Sequence, residues 1–333
     1  MEIYPASYLK IYFFTDPYSH SEVGEWEGIF VLYAMMDIGS NTVRLAIYEL
    51  EGDRVEMIMK RKHVVGLAAY VKNDTLQKAG IDKLVEILQE FKKFLQCLQI
   101  HEYVAFTTAA IRNSRNSKAV IREVTRRTGI NIRVISGDEE AIYDFIGATH
   151  NLEEDEGLLI DIGGGSTEIV HFKNREIKEK VSLPIGSLGF HTRYATSIFP
   201  SLEEARAMRA EAEATIGAVQ EFQALSHAQI CGIGGTFKGA TALYNSMYGL
   251  RRGNTRIDTK RIPSIIRRFL RDSEMTQQDT VLLMRTVPDR LHTFIPGLII
   301  ADVLAKRFSS TSIVYSDSGV REGFIYSEVL SDI

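Results

Sequence analysis

Asp37-Ile38-Gly39-Ser40-Asn41-Thr42 and Asp161-Ile162-Gly163-Gly164-Gly165-Ser166-Thr167 are two versions of one acidic, glycine-rich turn, 124 residues apart (161 − 37). Each follows an apolar run and precedes a strand-like one. After the first, Val43, Leu45, Ile47 and Leu50 nearly alternate with Arg44, Ala46, Tyr48 and Glu49, and after the second comes the β-prone Ile169-Val170-His171-Phe172. A strand behind the glycines separates these turns from a dinucleotide-binding turn, in which a helix N-terminus meets the pyrophosphate. One such turn is more often a plain hairpin. Two in matching contexts point to paired phosphate-gripping hairpins facing one cleft, and to two related α/β lobes.

The chemistry begins at the backbone. Residues without a side chain let amide N–H groups approach an anion closely, and Ser40, Asn41, Thr42, Ser166 and Thr167 add neutral donors. Asp37 and Asp161 cannot grip phosphate, because anions repel. Each is expected to orient a divalent cation or its water. A third turn, Gly232-Ile-Gly-Gly-Thr236, does run into a helical pattern, so its glycines serve either an anion at the helix N-terminus or close strand-to-helix packing.

The 333 residues, 45% hydrophobic and 25% charged, suffice for two domains. A net charge of −4 argues against a protein that coats nucleic acid. Local basic clusters lie at Arg122, Arg126 and Arg127, at Arg251, Arg252 and Arg256, and from Lys260 through Arg261, Arg267 and Arg268 to Arg271. Each alone reads as a solvated face, yet one is expected to line the cleft. Two cysteines, Cys97 and Cys231, suggest a reducing, cytoplasmic setting, and no apolar stretch nears the roughly 20 residues of a membrane span. The eight histidines lack a His-x-x-x-His spacing, so an oxygen-bound metal is expected rather than zinc.

Residues 1–30 crowd Tyr4, Tyr8, Tyr12, Phe13, Phe14, Tyr18 and Trp26 together without a clear period or a signal-peptide pattern. They are expected to lie outside the fold, as an extension from an upstream start assignment, with the first core strand at residues 29–37. A helix is expected from Asp74, a strand at 104–108 running into 109–112, a helix at 117–127 and a strand at 132–135. Residues 137–148 read as a helix with acids at its start, where the macrodipole favours them. Ser201 and Glu204 fit a capping box opening a helix to about Leu225. Strands at 158–161, 229–233 and 313–315 and a terminal helix over 321–330 complete the pattern.

In order along the chain, Asp37-Ile-Gly-Ser-Asn-Thr, Thr108-Ala-Ala-Ile-Arg112, Ile135-Ser-Gly-Asp-Glu-Glu-Ala141, Asp161-Ile-Gly-Gly-Gly-Ser-Thr-Glu168, Gly232-Ile-Gly-Gly-Thr236 and Gly319-Val-Arg-Glu-Gly323 resemble the exopolyphosphatase and guanosine pentaphosphate phosphohydrolase (Ppx/GppA) family, a branch of the actin-like superfamily. The likeness covers roughly residues 31–330. It implies two actin-like (ribonuclease H-like) lobes with mixed sheets flanking a central cleft: 31–143, 144–320 and a terminal helix, 321–333, packing on the first lobe. A hinge is expected near residues 141–150. The chain looks like the short form, without the C-terminal helical domains that help build the dimer in longer members, which leaves a homodimer among the expectations.

The resemblance makes Glu140 the general base that takes a proton from the attacking water, with Asp138 and Glu139 as local competitors. It makes Arg112 the active-site arginine. Asp161 and Glu168 take the positions linked to Mg2+, joined by Asp37 from the reading of the turns. Gly39, Ser40, Asn41, Gly163, Gly164, Gly165, Ser166 and Thr167 form the phosphate cradle. The implied activity is release of terminal orthophosphate from linear inorganic polyphosphate. Conversion of guanosine pentaphosphate (pppGpp) to the tetraphosphate is the alternative, and an ATP-dependent kinase or a non-hydrolytic sensor stands behind both.

Overall fold

The computed structural model describes residues 30–150, 154–222 and 225–330, so the expectation for the N-terminal extension lies outside the described residues. Strands β1 (Val31–Ile38), β2 (Thr42–Glu51) and β3 (Arg54–Val64) form an antiparallel meander. A ribbon of β4 (Val71–Lys72) and β5 (Thr75–Leu76) leads into α1 (Lys78–Cys97). Then come β6 (Tyr103–Thr107), α2 (Ala109–Arg112), α3 (Ser117–Thr128) and β7 (Ile132–Val134). The first sheet has the order β3-β2-β1-β6-β7, with β6 parallel to β1 and β7 parallel to β6.

After α4 (Gly137–Thr149) the plan repeats, with β8 (Glu156–Ile162), β9 (Thr167–Lys173) and β10 (Glu176–Leu183) as a second antiparallel meander. Helices α5 (Ser187–Tyr194) and α6 (Leu202–Gly217) precede β11 (Gln229–Ile233), α7 (Gly234–Met247), β12 (Arg256–Asp258), α8 (Ile262–Arg268), α9 (Gln277–Thr286), α10 (Leu291–Arg307), β13 (Ser312–Ser316) and α11 (Val320–Phe324). The second sheet runs β10-β9-β8-β11-β13-β12; β11 and β13 are parallel to β8, and β12 adds an antiparallel edge. Leaving out β12, the two sheets share one order and one set of strand directions. The duplicated turn in the sequence is thus the visible part of a duplicated lobe.

Period-two patterning sets the faces of the first sheet. Ala34, Met36, Ile38, Val43, Leu45 and Ile47 pack under α1 and α3, while Met35, Ala46, Tyr48 and Leu50 face the other way. That second face is covered by the end of the chain, where Phe324 stacks on Phe106 with ring centroids 5.9 Å apart and Ile325 and Val329 complete the cluster. Helix α4 lies between the sheets. Its Tyr143 joins this cluster, while Ala141, Phe145 and Ala148 pack on Leu159, Val170 and Phe172 of the second sheet.

Three boundaries differ from the sequence reading. Helix α1 begins at Lys78 rather than Asp74, because Asn73 and Asp74 both take left-handed backbone conformations (φ 48° and 56°) in the turn between β4 and β5. Helix α6 ends at Gly217, well before Leu225; its Ser201–Glu204 capping box is present, and glycine is a poor helix residue. The terminal helix starts at Val320 and is α-helical only to Phe324, after which residues 325–329 widen into a π-type turn.

Candidate active site

Both acidic turns are the tight corners of the meanders. Gly39 N–H donates to Thr42 O at 3.0 Å, and Gly163 N–H donates to Ser166 O at 2.9 Å, so the two loops are closed in the same way. They touch face to face. A Cβ on Gly164 would lie 2.9 Å from Ser40 Cβ, and one on Gly165 would lie 2.7 Å from Ser40 Oγ, which is why these positions exclude larger residues. The Asn41 amide is buried with neither its nitrogen nor its oxygen hydrogen-bonded, a cost normally avoided unless a ligand supplies the partner. Gly39, Ser40, Asn41 and Thr42 line one cleft of about 590 Å³ with Gly163, Gly164, Gly165 and Ser166; Thr167 lies behind it, its hydroxyl donating to Ile185 O at 2.7 Å.

Asp37, Glu140, Asp144 and Asp161 line this cleft, and Glu168 and Arg112 lie behind its wall. Asp37 opposes Arg44 across β1 and β2, and Arg44 Nη1 donates to Asp37 Oδ2 at 2.7 Å. The equivalent cross-strand pair in the second lobe is Asp161 and Glu168, two acids directly opposed. Such a like-charged pair destabilises a sheet, so it calls for a compensating charge. Burial first, and then Glu140, raises the Asp161 carboxyl to about 7; burial and then Asp161 raise Glu168 to about 7. Glu168 Oε1 accepts from Ser182 Oγ at 2.7 Å, whereas its Oε2 is buried with no partner.

The three consecutive acids opening α4 separate cleanly. Asp138 pairs with Lys180, and Glu139 closes a capping box with Ser136 while also binding Arg133. Only Glu140 turns into the cleft, where it is buried. Arg112, at the end of α2, donates from Nη1 to Glu140 Oε2 at 2.6 Å and to Ile135 O at 3.2 Å, and its Nη2 lies 3.9 Å from Glu168 Oε1. Burial and then Glu168 push the Glu140 carboxyl well above the usual carboxylate range, against the pull of Arg112. One turn later Asp144 is fully buried, neither of its oxygens has a hydrogen-bond partner, and burial followed by Asp161, Glu140 and Glu168 raises it likewise. Sequence reading passed over Asp144; its i, i+4 spacing from Glu140 on one helix face was the available signal.

The expectation that one of the basic clusters at 122–127, 251–256 or 260–271 lines the cleft is not met. The cations lining it are Arg44, Lys60, Lys62, Lys238, Arg290 and Arg321. Lys60 and Lys62 belong to the short basic run Lys60-Arg61-Lys62 of β3, which the sequence reading passed over, and the other four come from separate elements. Burial, with neighbouring Arg321 second, lowers Lys60 to about 8, and burial, with Arg44 second, lowers Arg290 to about 10.

The third glycine turn packs strand closely against helix, as a Cβ on Gly232 would lie 2.5 Å from the Phe237 ring, and its two later glycines border the cleft. Gly234 (φ 82°) opens α7 against Asp161, where a Cβ would stand 2.3 Å from Oδ1, and a Cβ on Gly235 would meet the Arg290 guanidinium at 1.8 Å. Both glycines line the cleft. Thr236 packs the helix instead, its hydroxyl donating to Ile162 O at 2.8 Å. Glu322 accepts from Tyr48 Oη at 2.6 Å and from Gly319 N at 3.0 Å, tying the terminal helix to the first sheet.

Comparison with known proteins places this architecture. The sequence profile of the Ppx/GppA phosphatase family matches residues 46–332. A putative exopolyphosphatase of Haemophilus influenzae is 27% identical over 297 residues, 88% of this chain and 90% of that protein, and exopolyphosphatase 1 of Mycobacterium tuberculosis is 26% identical over 309 residues, 90% and 88% respectively. A bifunctional 3-dehydroquinate synthase/phosphatase of Fusobacterium nucleatum is 36% identical over 168 residues, 47% of this chain but only 25% of that longer protein. Among solved structures, an Aquifex aeolicus Ppx/GppA family member superposes with a TM-score of 0.71 at 26% identity, covering 91% of this chain and 99% of its own. An exopolyphosphatase from Cytophaga hutchinsonii shares the fold, with a TM-score of 0.79 at 20% identity over 91% and 98% of the two chains. A profile match over most of the length, joined to a doubled lobe with its acids in one cleft, makes this chain a member of the Ppx/GppA phosphatase family.

Proposed function

We propose that the protein is an exopolyphosphatase, releasing orthophosphate from the end of linear inorganic polyphosphate by attack of water. One observation carries the reading: Glu140, alone of three neighbouring acids, is buried between the two hairpins and gripped by Arg112. Family relatives named as exopolyphosphatases over nearly their whole length support the choice of substrate.

The residues fit a magnesium ion. Mg2+ prefers oxygen ligands and commonly binds through one or two carboxylates plus substrate phosphates, keeping several waters. Asp161 and Glu168 supply such oxygens, and Glu168 Oε2 is buried without a hydrogen-bond partner, open to a cation. Asp37, with one oxygen held by Arg44, would serve through a bound water. When bound, the ion would neutralise phosphate oxygens and so let an anionic base work beside an anionic substrate.

The protein's own groups do the rest. Glycine amides of both loops, with Ser40, Asn41 and Ser166, hold the terminal phosphate, and Lys60, Lys238 and Arg290 draw in the phosphates behind it. Arg112 fixes Glu140 Oε2, leaving Oε1 to hold the attacking water and take its proton. The raised Glu140 carboxyl is a better base than an exposed glutamate. Arg112 also presents charge to the phosphoryl group in transfer. The free Cys97 and Cys231 accord with a reducing, cytoplasmic setting, and no helix among the described residues is long and apolar enough to cross a membrane.

The guanosine pentaphosphate reaction would use the same residues, since both substrates end in a phosphoanhydride. Phosphate release from long-chain polyphosphate and from pppGpp, measured side by side with Mg2+, is expected to favour polyphosphate in kcat/KM. Negligible release from polyphosphate beside rapid release from pppGpp would reverse the assignment.

A further inference from the structure

Far from the cleft, three side chains that the sequence keeps well apart come together at the opposite end of the second sheet. Glu156 opens β8, His171 lies on β9 on the same face, and His227 stands just before β11, the strand on the other side of β8. Their ligand atoms all lie within 4.8 Å of one another, and they are the one group of three or more such side chains so close among the described residues. Asp161 is five steps along β8 from Glu156, roughly 17 Å along the strand, so the cluster is distinct from the acids of the cleft.

The directions of the nitrogens matter more than the grouping. His171 Nε2 and His227 Nε2 both face Glu156 Oε1, at 3.8 and 3.9 Å. The other His171 nitrogen, Nδ1, faces Glu179 Oε2 at 3.8 Å. A metal-binding imidazole commonly offers one nitrogen to the ion and turns the other toward a carboxylate that fixes its orientation, and His171 has both. Neither His171 nitrogen makes a hydrogen bond, although both are buried. Two imidazoles and one carboxylate suit Zn2+, with water as the fourth ligand, and suit Mg2+ poorly. Tetrahedral Zn2+ with bonds of about 2.0–2.2 Å needs its ligand atoms roughly 3.3–3.6 Å apart, so the two Glu156–histidine pairs, at 3.8 and 3.9 Å, have only a few tenths of an ångström to close, and the two imidazoles, within 4.8 Å, somewhat more. Lys173 pairs with the second oxygen, Glu156 Oε2, at 2.9 Å, leaving Oε1 to the histidines.

We infer that Glu156, His171 and His227 form a second metal site, selective for zinc-like divalent ions, with Glu179 orienting His171. Sequence spacing argued against zinc because it registers only ligands that are near neighbours in the chain, whereas here the register of β9, β8 and β11 brings them together. The ion would tie β8, β9 and the approach to β11 at the ends opposite the catalytic hairpin. It has no part in the hydrolytic step.

The test uses the full chain stripped with chelator and then saturated with Mg2+, so that cleft acids are occupied. Zn2+ titrated calorimetrically should bind one equivalent, and Co2+ in its place should give the visible absorption of a four-coordinate site. His171→Ala and His227→Ala should each weaken binding at least tenfold, and Glu179→Gln about tenfold. Asp161→Asn should leave binding intact. His227 lies outside the regular elements, so His227→Ala is decisive should His171→Ala misfold. No Zn2+ binding by the unaltered protein, binding that survives both histidine variants, or binding lost on Asp161→Asn would each overturn the inference.

Discussion

Asp161 and Glu168 show how a single pair of residues can trade stability for chemistry. Each is buried opposite the other with its carboxyl raised to about 7, by burial first and by neighbouring acids next. In the unfolded chain both ionise near pH 4. Between these values the folded state holds more protons than the unfolded one, so stability falls as pH rises. In protein freed of divalent cations, this contribution is fully present below about pH 4 and is lost as pH passes through about 7. The loss is on the order of a few kcal/mol. Thermal unfolding should therefore show Tm falling from pH 5 to pH 8 without Mg2+, and Mg2+ should raise Tm most at pH 8. A Tm that is flat across this range and indifferent to Mg2+ would remove these two residues from the metal site. Asp161 was legible in the sequence, because an acid before glycines at the end of a strand forms a local pattern, while Glu168 came only with the family resemblance. Asp144 and the unpartnered Asn41 amide were not legible, since burial and the lack of partners are properties of the folded environment.

At the scale of elements, the crossing of α4 with α11 positions Glu140. Glycines allow these helices to touch backbone to backbone: a Cβ on Gly323 would lie 1.8 Å from Tyr143 O, and one on Gly147 would lie 2.3 Å from Gly319 O. Gly323→Ala should push the helices apart and cost about 1–3 kcal/mol, as overpacking does. Denaturant unfolding measures the stability, and a companion kcat should fall because α4 carries Glu140; a neutral result in both would mean that the crossing gives way without harm. The strand after the first turn was readable from alternation, the α4 start from its acids and the α6 start from Ser201–Glu204, whereas β3 and β10, the outer strands of the two meanders, went unread. Helix ends were less legible. The start of α1 is delayed by two left-handed residues, a backbone choice that Asn73 and Asp74 permit but do not require.

For the whole molecule, two lobes of one topology enclose a cleft whose cations come from β2, β3, α7, the turn before α10, and α11. Lys62 of the first lobe pairs with Asp289 of the second across its mouth. Fold class and lobe duplication could be read from two turns, whereas the electrostatics of the cleft could not, because Arg44, Lys238, Arg290 and Arg321 are scattered through the chain and the short run Lys60-Arg61-Lys62 alone does not say which way it faces. A cleft with cations from both lobes offers charge along a run of phosphates, the feature a chain of phosphates without a base requires. ATP should accordingly show no micromolar binding by calorimetry, while long-chain polyphosphate binds; tight ATP binding would favour a nucleotide-dependent enzyme.

Everything in the proposed reaction passes through Glu140, the buried acid between the hairpins that Arg112 holds by one oxygen. Glu140→Gln keeps the size and removes the base. Phosphate release from long-chain polyphosphate should fall by about 10²–10⁴-fold in kcat, the usual contribution of a general base, while polyphosphate affinity stays near that of the unaltered protein. Turnover that persists undiminished in Glu140→Gln would contradict the account.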